Sequence, residues 1–504
     1  FGGLETTSIS RNRSWFNGWG MNYRGETAYF EYLYFKKLDQ ENSNYYSLRN
    51  TDSRSAAFYA NATYSFNGKY VVNGTFRYEG SNQMGRTTKA RWMPTWNLSG
   101  AWNVHEESFF PKLQPLSSLT FRVSYSLTGT PPDAAYCNAL TKLSMNTPYR
   151  PTTTDKELGF VVAALGNDEL TYEKKHEFNF GVDAGFFNNR LNVTFDVYQR
   201  RNFDEIAPTV TQLYGTAYAN VGSMKSWGEE LSISSTNIKT QDFSWQTSLI
   251  YSHNRTEITD LYNQGRVIDL VQGNGFAKQG YPARALFSIP FVGINEKGYP
   301  VCINEKGQAT VGNLNFQERD NTDYLIYEGS TDPVYNGSLG NTFNYKGFHL
   351  NVFLTYAFGN VVRLDPAFSA KYNDLTSMTH DFKNRWMQPG DENVTNVPGV
   401  VSRYEYEQNS TLLATAYNAY NYTSVRTAKG DFIRLKEISL AYDFPHRWFE
   451  KSPVNNISLK LQATNLMLLY ADKKLNGQDP EFMNAGGVAS PMPKQFTLTL
   501  KLGL

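Results

Sequence analysis

The chain has 504 residues, with 48 Lys and Arg against 47 Asp and Glu, for a net charge of +1. That balance excludes a nucleic-acid binder driven by bulk basic charge, and equally an acidic disordered chain. Apolar runs end at short stretches such as Leu466–Tyr470, far below the roughly 18 residues of a membrane-spanning helix. Mean hydropathy is −0.51, yet 34 Tyr, 33 Phe and 9 Trp make up 15% of the residues. A polar average with a heavy aromatic load points to surfaces that alternate, not to one thick apolar core.

In chain order, strands are predicted near 4–11, 23–35, 55–66, 69–80, 91–103, 117–129, 172–186 and 190–203. They continue near 224–236, 242–254, 336–345, 348–358, 430–444, 455–466 and 494–503, about 15 in all. The signal is period-2 alternation. Leu191, Val193, Phe195 and Val197 point one way, and Asn192, Thr194, Asp196 and Tyr198 the other. Phe496, Leu498, Leu500 and Leu502 alternate with Thr497, Thr499, Lys501 and Gly503 in the same manner. No long segment shows a helical period. Runs such as Ala56–Phe66, Tyr70–Gly80, Tyr172–Phe186 and Asp431–Phe444 exceed the ~5–6 residues usual in globular sheets and reach the ~9–11 that cross a bilayer as tilted strands.

The connections are lopsided. Tight turns fall at Asn67-Gly68, Asn188-Asn189 and Lys346-Gly347, while 130–171, 255–335, 359–429 and 467–493 form long loops. Asn-Gly suits a type I′ hairpin, whose two central residues both need positive φ. Because antiparallel strands alternate in direction, parity places every tight turn at one end and every long loop at the other, the pattern of an outer-membrane barrel. The parity holds if 255–335 makes no net crossing. Its near-repeat, Ile294-Asn295-Glu296-Lys297-Gly298 and Ile303-Asn304-Glu305-Lys306-Gly307, is then a small hairpin inside one loop. An odd count of 15 would prevent the chain from closing a barrel by itself. A set of secreted β-sandwiches that bind glycans also alternates in sequence, and would place tight turns at both ends. A passive porin-like channel would share the barrel but lack a plug.

Cys137 and Cys302 lack a CxxC spacing or a neighbouring His cluster, which removes a structural zinc site or redox motif. Pairing with each other and remaining free both fit. No signal peptide is read at Phe1, so it was either removed or the chain is an internal piece of something longer.

Several blocks, in order, resemble one family. They are RYEGSNQMGRTTKARWMPTWNLSGAWNVHEESFF at Arg77–Phe110, LTFRVSYSLTGT at Leu119–Thr130 and LTYEKKHEFNFGVDAGFFNNRLNVTFDVYQR at Leu170–Arg200. NVGSMKSWGEELSIS at Asn220–Ser234 and DPVYNGSLGNTFNYKGFHLNVFLTYAFG at Asp332–Gly359 follow, then GDFIRLKEISLAYDFP at Gly430–Pro445, DPE at Asp479–Glu481 and PMPKQFTLTLKL at Pro491–Leu502. Together they resemble the C-terminal portion of a SusC/RagA-type TonB-dependent outer-membrane transporter of the Bacteroidetes. The resemblance implies an all-β fold, a 22-stranded transmembrane barrel with an N-terminal plug inside it, of which about 7 strands and the plug would lie upstream. It departs from the family in ending at Leu504 instead of an aromatic residue, and in having Ser226 where Lys is usual. It also implies a SusD-like surface lipoprotein as lid and TonB–ExbB–ExbD as energy source. The other partners it implies are outer-membrane lipid and an oligosaccharide or oligopeptide cargo, with no cofactor, no nucleic acid and no covalent chemistry.

Trp15, Trp19, Trp92, Trp96 and Trp102 flank strand ends, where aromatic girdles sit, so lipid anchoring is the favoured role over sugar stacking. Tyr136, Tyr149, Tyr214, Tyr218, Tyr404, Tyr406, Tyr417 and Tyr420 lie in loops and are the expected ligand or lid contacts. Asp479-Pro480-Glu481 reads as a turn-forming loop anchor before a calcium site. Asp323, Asp332, Asp391 and Glu392 read as turn carboxylates. His105, His176, His253, His349, His380 and His446 lack ligand spacing. Arg122, Arg200, Arg434 and Lys460 are expected to face the lumen, hydrating the wall or bonding a plug.

Overall fold

The structure is a computed structural model that describes residues 1–16, 46–110, 115–131, 142–146, 159–211, 215–372, 375, 377–450, 453–485 and 493–503. Its main element is one 14-stranded sheet in which every strand pairs with its neighbour in chain order. The strands are β1 (Gly2–Phe16), β2 (Tyr46–Phe66), β3 (Tyr70–Ser81), β4 (Trp92–Asn103), β5 (Leu116–Thr130), β6 (Glu173–Phe186) and β7 (Leu191–Thr211). The second half comprises β8 (Gly215–Lys239), β9 (Phe243–Asp260), β10 (Tyr335–Tyr345), β11 (Phe348–Phe358), β12 (Phe432–Asp443), β13 (Asn456–Ala471) and β14 (Gln495–Gly503). All pairs are antiparallel. Among the described residues nothing pairs with the outer edges of β1 and β14.

Among the described residues the sheet has 14 strands, against the about 15 expected. The surplus strand, 23–35, lies outside the described residues. The flanking strands β1 and β2 pair directly with each other, from Gly2↔Ala60 to Phe16↔Tyr46. Among the described residues the sheet is open, its two edge strands unpaired with each other.

The lopsided connections are as expected. At one end lie Asn67-Gly68 (φ 52° and 71°), the Asn188-Asn189 turn (φ 56° and 59°) and Lys346-Gly347 (φ 43° and 88°), with the amide of Lys69 donating to the Phe66 carbonyl at 3.0 Å. Asn tolerates the left-handed region because its short amide bonds locally, and Gly because it has no Cβ. At the other end lie the long loops. The predicted hairpin inside 255–335 is present and doubled: Phe291–Ile294, Pro300–Ile303 and Ala309–Thr310 form a three-stranded sheet. Its two turns are copies of each other. Asn295 Oδ1 accepts from the amides of Lys297 (3.0 Å) and Tyr299 (2.9 Å), and Asn304 Oδ1 from those of Lys306 (3.1 Å) and Gln308 (2.9 Å). Gly298 and Gly307 close them at φ 79° and 73°.

Burial on the wall is inverted. Phe58, Tyr64, Phe66, Val72, Leu98, Phe178, Leu461 and Leu498 share one face and are exposed, as lipid-facing side chains are. The opposite face is polar and laterally bonded. Asn61 donates to Thr75 at 2.7 Å, Asn73 to Thr63 at 2.6 Å and Asn237 to Thr247 at 2.7 Å.

The buried core lies in the loops. Val267, Leu270, Phe287, Ile289 and Ala419 form one cluster, Phe368, Leu413, Tyr417 and Tyr420 a second, and Val362, Leu364, Leu475 and Met483 a third. Residues of 261–334, 359–431 and 472–485 mix within these clusters, so three loops fold as one block.

Candidate functional site

The loop block is held to itself and to the wall by buried guanidinium groups. Arg363 is 5% exposed and donates to the carbonyls of Thr423 (2.8 Å) and Phe287 (2.6 Å) and to Ser288 Oγ (3.0 Å). It ties two loops together through their backbones, and burial pushes its ionisation down to about 10, still charged at neutral pH. Arg426 reaches Asp381 at 3.2 Å and the Asp365 carbonyl at 2.8 Å. Arg434, on β12, meets both Asp479 oxygens at 2.6 and 2.7 Å and Glu481 at 3.1 Å. The Asp479-Pro480-Glu481 segment is thus a loop anchor, pinned to the wall by a buried ion pair.

Within the block the helix Ser410–Asn421 buries Leu413, Ala416, Tyr417 and Tyr420, spaced i, i+3, i+4 and i+7, the stripe of a helix with one packed face. Tyr420 meets Phe368 edge-on at 5.1 Å and Phe291 at 5.7 Å, and the Tyr417 hydroxyl donates to the Gly399 carbonyl. Both rings are 2% exposed. The expectation that Tyr417 and Tyr420 contact ligand is therefore corrected: they are the block's core, because their helical spacing turns them inward. A helical period, read as absent from the sequence, marks this segment.

Tyr404 is exposed and Tyr406 half-buried. Tyr406 borders a cavity of about 610 Å³, with Lys371, Tyr372, Val400, Arg403 and Glu407. Arg403 pairs with Glu407 at 2.7 Å one helical turn away, and Ser402 caps this short helix by accepting from the Glu405 amide at 3.2 Å. The cavity therefore presents two aromatic rings, aliphatic walls and both signs of charge. Tyr218 lies on β8 with its carbonyl accepting from Asn167 at 2.9 Å. Tyr136, Tyr149, Tyr214, Trp19 and Cys137 lie outside the described residues. Cys302 is a free, buried thiol whose ionisation burial pushes up to about 12.

The loop carboxylates are engaged in turns and pairs. Asp323 meets Lys278 at 3.0 Å and Asp332 meets Arg284 at 2.7 Å. Asp391 accepts from the amides of Met387 (3.0 Å) and Gln388 (3.1 Å). Glu392 accepts from Trp386 Nε1 (3.0 Å) and the Gly390 amide (2.8 Å), and these bonds, the Trp386 one foremost, hold its carboxyl below the usual range. Among the described residues no three His, Cys, Asp or Glu side chains group as a metal site.

Below the block, on the polar face of the wall, Arg122 lies between two carboxylates: Asp183 at 2.6 Å and Asp196 at 3.1 Å. Thr194 adds a bond to Asp183 at 2.9 Å. Gly181 makes room, since a Cβ there would lie 2.5 Å from Asp196 Oδ1 and 2.7 Å from the Arg122 guanidinium. Beside it a groove of about 350 Å³ is lined by Asn73, Asn97, Ser99, Ser124 and Asn179, a row of neutral donors and acceptors. Arg200 pairs with Glu177 at 3.1 Å and Lys460 approaches Glu437 at 3.9 Å. The four cations expected on this face are there, each with a carboxylate.

On the apolar face, aromatic rings gather at both ends of the strands. Tyr70, Trp102, Phe121 and Phe180 follow one another at 6.4, 6.0 and 6.3 Å near the tight turns. Toward the loops, Trp92 stacks on Tyr78 at 5.1 Å, and Trp96, Tyr125, His176 and Phe203 form a chain at 5.5, 5.6 and 5.4 Å. Trp92 and Trp102 stand ten residues apart on one face of β4. At ~3.3 Å per residue and a tilt near 40° that is about 25 Å of height, the thickness of an outer-membrane apolar band. Trp15 is exposed near the end of β1, but the unbroken register from Leu4↔Phe58 to Trp15↔Ser47 puts it eleven residues from Leu4 and so on the polar face; the expectation that it anchors in lipid is corrected.

Residues 2–466 match the family described as TonB dependent receptor-like, beta-barrel. The chain belongs to this family. It is 26% identical over 508 residues to the TonB-dependent receptor SusC of Bacteroides thetaiotaomicron, covering 95% of this chain and 46% of that protein. It is 25% identical over 447 residues to TonB-dependent receptor P3 of Formosa agariphila, covering 84% and 41%. Among solved structures the RagAB peptide importer in its closed-closed state superposes with a TM-score of 0.72 at 22% identity, over 91% of this chain and 48% of that one. The last likeness is one of fold. The chain thus spans less than half the length of these relatives, and the 14 strands are outer-membrane barrel wall.

Proposed function

We propose that this chain is the C-terminal part of the wall and the extracellular loop block of a 22-stranded importer that takes large nutrients, oligosaccharides or oligopeptides, across the outer membrane. The observation that carries this reading is the union of two parts. A polar inner wall is built for passage, and a prefolded block of three loops stands over the same end of it. The family and the relatives named SusC and RagAB support energisation through TonB and a SusD-like lipoprotein seated on the block as a lid. About eight further strands and a plug complete the barrel in this reading, with the neutral groove and the Arg122 cluster facing the plug or cargo. Tyr404 and Tyr406, with the cavity beside them, are the ligand or lid contacts we assign, and Trp92, Trp96 and Trp102 the lipid anchors. Chemistry on the cargo forms no part of this role.

The test uses the full-length transporter in its own outer membrane. The expected result is uptake of defined oligosaccharides or oligopeptides that stops when the proton gradient is collapsed, together with co-purification of a surface lipoprotein. Uptake that persists without the gradient would replace this reading with a passive channel. Substitution of Tyr404 and Tyr406 by Ala is expected to weaken capture of cargo or lipoprotein while leaving the folded barrel intact.

A further inference from the structure

Adjacent arginines on β7 face opposite ways. Arg200 looks into the polar side and pairs with Glu177. Arg201 shares the apolar face with Phe195 and Val197, is exposed, and has no carboxylate within ion-pair distance among the described residues. It stands directly opposite His176 on β6 and Lys225 on β8. One step further, Trp227 on β8 stands opposite Arg255 on β9. Arg255 is likewise exposed, its guanidinium lying over the Trp227 ring at 5.5 Å, and it too has no carboxylate partner among the described residues. Arg201 and Arg255, without carboxylate partners among the described residues, thus flank Lys225, which pairs with Glu257, in a strip on the outer surface of three neighbouring strands. The acids nearby are otherwise engaged: Asp204 with Lys174 at 2.6 Å, Glu257 with Lys225 at 3.1 Å, and Glu229 facing His253 at 3.9 Å.

The height of this strip decides what it meets. Arg201 is ten residues above Leu191, the first apolar-face residue of β7, which is about 25 Å at the usual rise and tilt. It is flanked by Phe203, which belongs to the loop-side aromatic chain through His176. The strip therefore sits at the upper boundary of the apolar band, where outer-leaflet headgroups lie. A cation there is costly to leave unpaired unless an anion comes from the membrane side. Guanidinium forks match phosphate oxygens in pairs, and a lysine between them can add a point charge.

We propose that Arg201, Lys225 and Arg255 form a binding site for the phosphate of an outer-leaflet lipid headgroup, with Trp227 and His176 seating the sugar or glycerol part of that headgroup against the wall. The site faces away from the lumen and is separate from cargo capture. It would hold one annular lipid in place on the β7–β9 side of the barrel.

The experiment uses the full-length transporter purified in detergent, with bis-phosphorylated lipid A as probe and retention read by native mass spectrometry. Wild type is expected to retain the phosphorylated probe on the order of tenfold to a hundredfold better than its enzymatically dephosphorylated form. The R201A/K225A/R255A variant is expected to lose that preference, while R201K/R255K keeps most of it. Heat-modifiable mobility on a gel checks that each variant is folded, and the comparison of the two probes on wild type needs no variant at all. Equal retention of the two probes, or an unchanged preference in the folded triple variant, would overturn the proposal. Displacement of the probe by millimolar inorganic phosphate would overturn it as well, by showing a site for free anions instead of a lipid.

Discussion

The wall and the loop block are made from one chain by opposite rules. On the wall, Leu461 and Leu498 are more than half exposed and the polar side chains face one another across the strands. In the block, Leu413 and Phe287 are 1% exposed, and the polar residues buried with them, such as Arg363 and Arg426, are hydrogen-bonded inside. Between its two edge strands the wall is held by continuous backbone ladders, so its side chains are free to satisfy the solvent on each face. The block has strands of two to five residues, too short to stand alone. It depends on side-chain packing and on buried arginines that bond to backbone carbonyls. The difference teaches where each part is vulnerable: the wall to a change of face, the block to a lost core atom or an orphaned charge.

The largest effect is expected where the two meet. In Arg434→Ala the Asp479 carboxylate, with its side chain 2% exposed, loses its partner inside the protein, a change that costs about 3–5 kcal/mol. Hydrogen exchange along 472–485 should rise steeply, while β12 and β13 stay protected by their ladder. Loss of protection in those strands too would show that the wall depends on the block, and would break the distinction. A second effect separates two leucines. Leu413→Ala leaves a cavity in a close-packed core and is expected to cost about 3 kcal/mol. Leu461→Ala opens a gap that lipid tails fill, with an expected cost below about 1 kcal/mol. Thermal melting of the two variants in one lipid environment gives the comparison directly; equal losses would mean that the apolar face packs against protein.

The same division decided what the sequence could tell. Wall strands were legible because alternation is a local signal: β3, β6, β11 and β14 lie within two residues of their predicted ends. The exceptions are instructive. β7 and β8 run on to Thr211 and from Gly215, through a stretch where Asp204 adopts φ 58° and the register slips at Asn220 and Gly222. There Asn220 holds the chain by donating to the carbonyls of Thr171 (2.9 Å) and Asp204 (2.7 Å), a long-range bond that no window of sequence contains. The block was barely legible, since its core joins residues more than a hundred positions apart. Its one local sign, the spacing of Leu413, Ala416, Tyr417 and Tyr420, was masked by reading tyrosines in a loop as contacts. The Asn-Glu-Lys-Gly repeat was legible because an Asx turn is built within five residues.

The smallest expected effect tests whether the block is tuned at its surface as well as its core. Glu392 holds the segment after Trp386 by accepting from that indole and from the Gly390 amide, and Trp386 in turn covers Gly298 at the tip of the first Asx turn, where a Cβ would lie 2.5 Å from the ring. These bonds, led by that of Trp386, favour the charged carboxylate and set its folded ionisation below the ordinary 4.5. A lowered carboxyl value means that the stabilisation is complete above the unfolded value and is lost as pH falls through the folded one. The window therefore opens near pH 4.5 and extends downward. With fluorinated tryptophan, the Trp386 resonance is expected to shift as pH falls below the ordinary carboxyl value in the wild type and to stay still in Glu392→Gln, which keeps an acceptor oxygen but cannot titrate. The change is expected to be small, and the backbone ladders of the wall should not register it. An identical titration in the Gln variant would assign the movement to another carboxylate of the block.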